Sequence, residues 1–309
     1  MLSSKRINAV PKAIEFMNIG EKIRELRVAK LMTQSELAGS QITRNMLSQI
    51  ENGVAQPSLS TILYIAKRLN IPAGFLLAEE GDEIVYRKMT GFANIKRAYI
   101  EGDLRGCKSL CQSACPEPDD EIRLMLADCD IGIATEEFWS GKLRSACRFF
   151  DEALVYAEKT MYQTAHIEAQ ARLFFRYMRR ISPTLYSDVL DDGAPPLTVW
   201  NSPFAAYTSA LEALDDGDYE GARMLCNEME EQSFFARHVN SCLLMSEGAY
   251  SEAKQELLAL LNSDEPLNQI ELYSVLCELE ISCRETEDYK GAYDYATEKV
   301  QLLEQMLKD

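Results

Sequence analysis

The sequence of 309 residues lacks the motifs that define the common enzyme classes. It contains only two histidines, and it has no HExxH motif, no GxSxG motif and no glycine-rich phosphate loop. No run of about 18 apolar residues is present, so we expect no membrane span. The N-terminus has no apolar core followed by a small-residue cleavage site, so we expect a cytoplasmic protein. The sequence therefore predicts no catalytic residues, no cofactor and no contact with a membrane.

The nine cysteines include no CxxC pair. An odd number without paired spacing is not typical of a disulfide framework, so we expect reduced thiols that act mainly as small core residues. Cys107, Cys111 and Cys115 recur one helical turn apart, and thiolates can bind soft metals. No fourth ligand is evident, however, and core packing is the favoured interpretation. No metal site is predicted.

The net charge of −17 is unevenly distributed along the chain. Residues 1–78 carry ten Lys or Arg and five Asp or Glu, whereas the remaining residues carry 22 and 44. A modestly basic front on a strongly acidic body indicates that only the front is suited to approach a polyanion.

Hydrophobic periodicity predicts five short helices in residues 17–78. Thr33 and Glu36 have the spacing of a capping box at the start of the second helix. Thr43 is placed to cap a third helix, Arg44–Glu51, and Gly53 to end it. The fourth helix covers LSTILYIAKRL, and its residues predicted to face inward are Leu59, Ile62, Leu63, Ala66 and Leu69.

The periodicity also predicts the boundaries of this front part. Residues 1–16 have weak periodicity and contain Pro11, which predicts a flexible extension. Residues 17–78 form a compact all-α domain, and residues 79–90 are predicted to be a linker.

The rest of the chain, residues 91–309, contains an internal repeat. Five stretches share a small or polar turn followed by Tyr or Leu and then Ala or Cys: 101–111, 140–150, 216–226, 247–257 and 286–296. Four turn glycines stand at intervals of 39, 76 and 31 residues, which leaves room for one pair without the signature: Gly102, Gly141, Gly217 and Gly248. The repeating unit is predicted to be an antiparallel helix pair, and the stack an α-solenoid. The fold class is therefore all-α, with five front helices followed by the solenoid.

The third helix is polar on the face opposite Leu47 and Ile50, where Arg44, Asn45 and Gln49 lie without an acidic neighbour. Arginine can donate two hydrogen bonds to guanine, and Asn or Gln can pair with adenine. In a helix-turn-helix, the second helix of the motif presents such side chains to the major groove of DNA.

Two further polar residues flank these candidates. Gln34 begins the preceding helix, where backbone N–H groups favour a phosphate, and Asn52 lies at the far end of the third helix. We expect both to contact DNA phosphates.

Residues 18–78 resemble the helix-turn-helix of the Cro and phage-repressor (XRE) family. The matching residues are Thr33-Gln34, Glu36-Leu37-Ala38, Thr43, Leu47, Ile50-Glu51-Asn52-Gly53, Pro57 and Leu59. The resemblance implies that Arg44, Asn45 and Gln49 contact bases in double-stranded DNA, and that Gln34, Thr43 and Asn52 contact phosphates. The alternative is a surface helix in a domain that binds protein.

The unit DGDYEGARMLC at residues 216–226 resembles the turn of a tetratricopeptide repeat. A phage-repressor-type domain followed by such repeats is similar to the peptide-sensing regulators of the Rgg/PlcR group. That resemblance implies a homodimer whose repeats bind a short signalling peptide in their concave groove.

The candidate ligand residues lie in two parts of the body. Arg172, Arg176 and Arg179 share a helical face with Arg180, and could bind a peptide carboxylate or DNA phosphates. The favoured alternative is that they pair with acidic faces of neighbouring repeats.

Tyr207 and His238 fall on the expected concave face, with Asn240 one position away from it. An Asn side chain pairs well with a peptide amide. A histidine at such a position is more often structural than a ligand contact.

Two functions remain after these observations. One is a sequence-specific transcriptional regulator whose repeats dimerise and sense a peptide. The other is a protein-interaction scaffold, in which the repeats bind a partner protein and the front domain is a weak DNA tether.

Overall fold

The computed structural model describes residues 18–78, 83–185, 202–263 and 265–308. All regular structure in these ranges is helical, so the all-α prediction is confirmed. The helices are α1 (Ile19–Ala29), α2 (Gln34–Ala38), α3 (Arg44–Glu51), α4 (Leu59–Leu69), α5 (Ala73–Leu77), α6 (Glu83–Ile100), α7 (Leu104–Ala114), α8 (Asp120–Trp139), α9 (Leu143–Glu158), α10 (Ala165–Ile181), α11 (Pro203–Asp215), α12 (Tyr219–Asn227), α13 (Phe234–Ser246), α14 (Tyr250–Leu261), α15 (Gln269–Glu285) and α16 (Tyr289–Met306). Within the described ranges, none of these helices is both long enough and apolar enough to cross a membrane.

The chain divides into two compact units. The front unit contains residues 1–94 and 113–116, and the body contains residues 95–112 and 117–309. The predicted extension, residues 1–16, lies outside the described residues, as do residues 79–82 of the predicted linker. The remainder of that linker begins α6, because no proline and no left-handed residue interrupts residues 83–100.

The caps predicted for the front helices are present. Thr33 accepts a hydrogen bond from the Glu36 backbone N–H, and the Glu36 carboxylate accepts one from the Thr33 N–H. Thr43 Oγ1 accepts from the Met46 N–H at 3.1 Å, which satisfies one of the free donors at the start of α3. Gly53, with φ +71°, ends α3 in a left-handed conformation.

The front core is built from one apolar face of each short helix. Its fully buried side chains include Ile23, Leu37, Leu47, Ile65 and Leu69. The prediction was wrong for Leu59 and Leu63, which are 62% and 52% exposed. The buried face of α4 follows the spacing i, i+3, i+4, i+7 from Ile62, so Ile65 is buried where Leu63 had been expected.

The body is a stack of antiparallel helix pairs, as predicted. The pairs are α8 with α9, α11 with α12, α13 with α14, and α15 with α16. Each predicted turn glycine has a left-handed φ between +75° and +81°, and Glu287 takes the same conformation in the last turn. The pair without the signature was predicted between Gly141 and Gly217, where the structure describes α10 and where residues 186–201 lie outside the described part of the chain.

Aromatic side chains fill the centre of the body. Phe174 packs against Phe138 with ring centroids 4.8 Å apart, and against Phe204 at 5.0 Å. The Tyr177 hydroxyl lies 2.8 Å from Ser274 Oγ, which joins α10 to α15 across 97 residues of sequence. The first helices α8, α10 and α11 therefore meet through packed aromatic rings, and α10 also reaches the more distant α15.

Candidate nucleic-acid interface

Helix α3 has one buried face and one exposed face. Leu47 and Ile50 are buried against the front core, together with the carboxylate of Glu51. Arg44, Asn45 and Gln49 are exposed on the other side. Their side chains form no hydrogen bond or ion pair with any residue in the described ranges. The structure thus leaves all three predicted base-contacting groups accessible to an external partner.

Glu51 is the centre of a buried polar network that fixes α3. It is 3% exposed, and its two oxygens accept hydrogen bonds from Arg27 Nε at 2.7 Å and Nη2 at 3.0 Å. Gln34 Nε2 donates to the same carboxylate at 2.8 Å, and Arg27 Nη1 donates to the Met32 carbonyl. These contacts join α1, α2 and α3, so the helix that carries the exposed polar side chains is held at a defined position.

Sequence reasoning missed this network. In the sequence analysis, Glu51 was used only as one residue of the family pattern. An acid at the end of an apolar helical face does, however, indicate a buried ion pair. Arg27 lies in the last turn of α1, and nothing in its sequence position distinguishes it from a surface arginine.

A second feature that the sequence reasoning missed is the close approach of α1 and α3. A Cβ atom on Gly20 would lie only 2.0 Å from the carbonyl oxygen of Ile50. No side chain fits at this crossing without moving one helix. Gly20 therefore helps to set the distance between α1 and α3.

The predicted phosphate contacts differ in their surroundings. Thr43 is exposed and its oxygen caps α3, which leaves the hydroxyl proton free to donate. Asn52 is exposed at the C-cap of α3 and has a long contact of 3.5 Å from Nδ2 to Ser48 Oγ. Gln34 is half-buried, and its amide already donates to Glu51. A phosphate contact by Gln34 would therefore use its second amide proton or displace this bond.

The arginine row of α10 is paired within the body. Arg172 binds Glu168 one turn earlier on the same helix, and Arg176 binds Glu212 on α11. Arg179 is exposed, next to the Arg180 that binds Asp215. The geometry of Arg172 and Arg176 favours the alternative in which these guanidinium groups pair with neighbouring acidic side chains.

Tyr207 and His238 are in the core of the body and not on an open groove. They are 1% and 2% exposed, and the Tyr207 hydroxyl lies 3.1 Å from His238 Nδ1. This placement favours the structural alternative, because neither side chain presents a surface to a peptide.

Asn240, the remaining candidate, is exposed. It lines a polar groove of about 570 Å³ formed by α12, α13, α14 and the residues before α13. The charged side chains of this groove are Arg223, Arg237, Glu231, Glu247 and Glu256.

All nine cysteines are free thiols. Cys107 and Cys111 are fully buried, and Cys115 is 3% exposed. Their burial favours the interpretation as core residues.

Comparison with known families identifies the front of the chain. Residues 23–76 match the family described as Helix-turn-helix. These residues contain α2 and α3, so the predicted helix-turn-helix is confirmed. No curated protein matches the chain.

Three solved structures are similar to the chain over most of its length. PlcR of Bacillus thuringiensis, in complex with the peptide PapR7 and DNA, is 15% identical, with 93% of this chain and 95% of that chain covered and a TM-score of 0.27. ComR from S. thermophilus, in complex with DNA and its signalling peptide ComS, is 16% identical, with 92% and 99% covered and a TM-score of 0.23. The SHP pheromone receptor Rgg2 of Streptococcus dysgalactiae is 14% identical, with 92% and 99% covered and a TM-score of 0.19.

PlcR and Rgg2 carry the names of the group that the sequence resembles. The TM-scores are low, so these likenesses carry no conclusion about the ligands of this chain.

Proposed function

We propose that this chain is a sequence-specific DNA-binding transcriptional regulator, with residues 17–78 as its DNA-binding domain. The observation that carries the proposal is the exposed face of α3, where Arg44, Asn45 and Gln49 have no partner in the described part of the chain. A regulator of this kind works in the cytoplasm, where its DNA is.

In the proposed complex, α3 enters the major groove of double-stranded DNA. Arg44 donates two hydrogen bonds to the O6 and N7 atoms of a guanine, and Asn45 and Gln49 pair with adenine edges. Thr43 and Asn52 donate to phosphates at the two ends of the helix, and these contacts fix the register without reading sequence. The Glu51 network supports this arrangement, because it holds α3 against α1 and α2 before DNA arrives.

The repeat region, residues 91–309, has the proposed roles of dimerisation and ligand sensing. Two copies related by a two-fold axis would place two α3 helices on half-sites roughly 34–36 Å apart, one turn of DNA. A ligand that binds one arrangement of the two copies more tightly would change the spacing of the two α3 helices.

The proposed ligand is a short peptide. The groove around Asn240 offers an amide that can pair with a peptide backbone. Its arginines pair with its own glutamates, Arg223 with Glu247 and Arg237 with Glu256, so charged side chains of a peptide would bind by exchanging these pairs. The paired Arg172 and Arg176 contribute only if a ligand carboxylate replaces Glu168 or Glu212.

The experiment is a selection of bound sequences from random DNA by the purified full-length chain at fixed salt concentration. We expect a two-fold symmetric consensus that is bound at least a thousandfold more tightly than random DNA, a ratio within the usual range. The variant Gln49→Ala should lose the preference at one position of each half-site, whereas Gln56→Ala, outside α3, should keep the consensus.

The outcomes separate the proposed regulator from a scaffold. Equal affinity for selected and random DNA, with a steep salt dependence, would reject the regulator and favour the weak DNA tether. Repeating the selection with culture supernatant of the native host tests the ligand. A changed consensus or affinity supports a sensor, and an unchanged one rejects it.

A further inference from the structure

Three side chains with metal-binding chemistry meet between α13 and α15. His238 and Cys242 lie one turn apart on α13, and Glu278 faces them from α15. One ligand atom from each residue lies within 4.8 Å of the other two. The site belongs to the body and is separate from the helix-turn-helix.

The imidazole of His238 is incompletely satisfied. It is 2% exposed, and the Tyr207 hydroxyl lies 3.1 Å from Nδ1. Nε2 has no hydrogen-bond partner in the described part of the chain. A neutral imidazole has one donor and one acceptor nitrogen, so the fold leaves one of the two unused in a buried place. An unmet buried polar group of this kind points to a missing partner.

The distances suit a small cation. Zinc binds imidazole nitrogen, carboxylate oxygen and thiolate sulfur at about 2.0–2.3 Å, so the ligands of a tetrahedral site lie roughly 3.5 Å apart. Cys242 Sγ lies 3.9 Å from His238 Nδ1, so ligation through this nitrogen would displace the Tyr207 hydroxyl that lies 3.1 Å from it. Small side-chain rotations would therefore close the three ligands around one ion, with the fourth position open to water.

The charges of the cluster balance such an ion. A thiolate from Cys242 and a carboxylate from Glu278 neutralise a dication, while the histidine ligates as a neutral base. The nearby cations already have partners, since Arg180 binds Asp215 and Lys299 binds Glu280. An ion bound here would therefore add no net charge beside them.

Metal binding at this cluster is coupled to the release of protons. Burial raises the pKa of Glu278 to about 7 and raises the pKa of the Cys242 thiol well above its usual value. Burial also lowers the pKa of His238 to about 4, so the imidazole is neutral and ready to ligate. On metal binding the Cys242 S–H bond breaks and a metal–sulfur bond forms, the protonated fraction of Glu278 also loses its proton, and these protons pass to the buffer.

We propose that His238, Cys242 and Glu278 bind a divalent transition metal of the zinc class. The bound ion links α13 directly to α15, and so stiffens two successive repeats of the body. Nothing in the sequence pattern had predicted this site, because Glu278 is distant in the chain. The spacing His-x-x-x-Cys on α13 is the local indication.

The test uses the full-length chain after treatment with a chelator, titrated with Zn²⁺ in a calorimeter and with Co²⁺ in a spectrophotometer. We expect one equivalent of metal to bind. Because protons are released, the measured heat should vary with the ionisation enthalpy of the buffer. The Co²⁺ complex should show a thiolate-to-cobalt absorption band. Cys242→Ser should abolish the band and weaken binding at least tenfold. The matched control is Cys147→Ser, a half-buried cysteine on α9, which should bind like the unchanged chain.

A second ligand variant keeps the test decisive where one substitution disturbs folding. Glu278→Gln should weaken Zn²⁺ binding tenfold or more and remove the Zn²⁺-dependent slowing of hydrogen exchange in α13 and α15. Circular dichroism confirms that each variant is folded. Absence of binding to the unchanged chain, or binding equally tight in Cys242→Ser, Glu278→Gln and Cys147→Ser, overturns the proposal.

Discussion

The front unit and the body place similar charged side chains in different surroundings. On α3, Arg44 has no ion pair with any described residue, whereas on α10, Arg172 binds Glu168 and Arg176 binds Glu212. The difference follows from the supply of acids, since residues 79–309 carry 44 Asp or Glu and residues 1–78 carry five. Arg172 and Arg176 in the acidic body have internal partners, whereas Arg44 in the front is left for an external polyanion.

The two units also differ in how completely the carboxylate oxygens of a buried acid are hydrogen-bonded. Glu51 in the front has both oxygens bound, by Arg27 and Gln34. Asp130 in the body is fully buried and binds Lys108 through Oδ1 at 2.6 Å, but its Oδ2 has no partner in the described ranges. Burial accordingly raises the pKa of Asp130 to about 6, although Lys108 opposes the shift. A fully bonded acid fixes helices, and a partly bonded one makes stability depend on pH.

The largest expected effect comes from removing the fully bonded acid. Glu51→Ala leaves the Arg27 guanidinium without its carboxylate, which should destabilise the front unit by about 3–5 kcal/mol. Hydrogen-exchange mass spectrometry of α1–α3 in the full-length chain measures this loss. The double variant Arg27→Met, Glu51→Leu should recover most of the protection, because it removes both charges together. Unchanged exchange in Glu51→Ala would show that the network does not hold the three helices.

The second effect is the pH dependence caused by Asp130. Its folded pKa of about 6 lies above the ordinary value, so the folded state binds more protons between the two and loses stability as pH rises through this window. Relative to Asp130→Asn, the unchanged chain should lose up to about 3 kcal/mol between pH 4 and 7. Urea unfolding followed by tryptophan fluorescence measures the difference, since Trp139 lies on the same helix. The exposed Asp294→Asn should follow the unchanged chain, and parallel curves for all three would contradict the prediction.

The third prediction concerns the exposed arginine of α3. Arg44→Ala should lose about 1–3 kcal/mol of discrimination at one base position, because a bidentate contact to guanine is gone. Competition between the selected site and its single-base variants measures this loss at constant salt. Arg24→Ala, an exposed arginine on α1, should weaken binding to all sequences alike or leave it unchanged. An equal loss for every sequence in Arg44→Ala would assign Arg44 to a phosphate.

The smallest effect is expected for the paired arginine of α10. Arg176→Ala should change the free energy of unfolding of the body by less than about 1 kcal/mol, since the pair with Glu212 is partly exposed to solvent. A double-mutant cycle with Glu212→Ala isolates the pair, and DNA affinity should stay the same. A loss of DNA binding in Arg176→Ala alone would contradict the difference drawn above between the exposed Arg44 of α3 and the paired arginines of α10.

The sequence predicted the helix order of the front accurately because its caps are local. Thr33 with Glu36, Thr43 and Gly53 each act within four residues, and each has the predicted role in the structure. The turns of the body were predictable for the same reason, since a left-handed glycine marks most of them. Leu59 and Leu63 were wrongly predicted to face inward. The apolar face of α4 is wide, and the helical period does not decide which residues at its edges are buried.

The side-chain partners could not be predicted in the same way. Glu51 meets Arg27 across 24 residues, and Tyr177 meets Ser274 across 97, through packing that no local pattern encodes. Tyr207 and His238 were placed on the expected concave face, but aromatic packing closes that position. The exposure of Arg44, Asn45 and Gln49 was easier to predict, because exposure on a short amphipathic helix follows from periodicity alone.

Gly20 constrains the position of α3 independently of the residues on the exposed face of that helix. Since even a methyl group at this position would collide with the Ile50 carbonyl, a related chain that carries a larger residue there has to seat its third helix at another depth. Two such chains with the same residues at positions 44, 45 and 49 would therefore present them at different distances from the first helix.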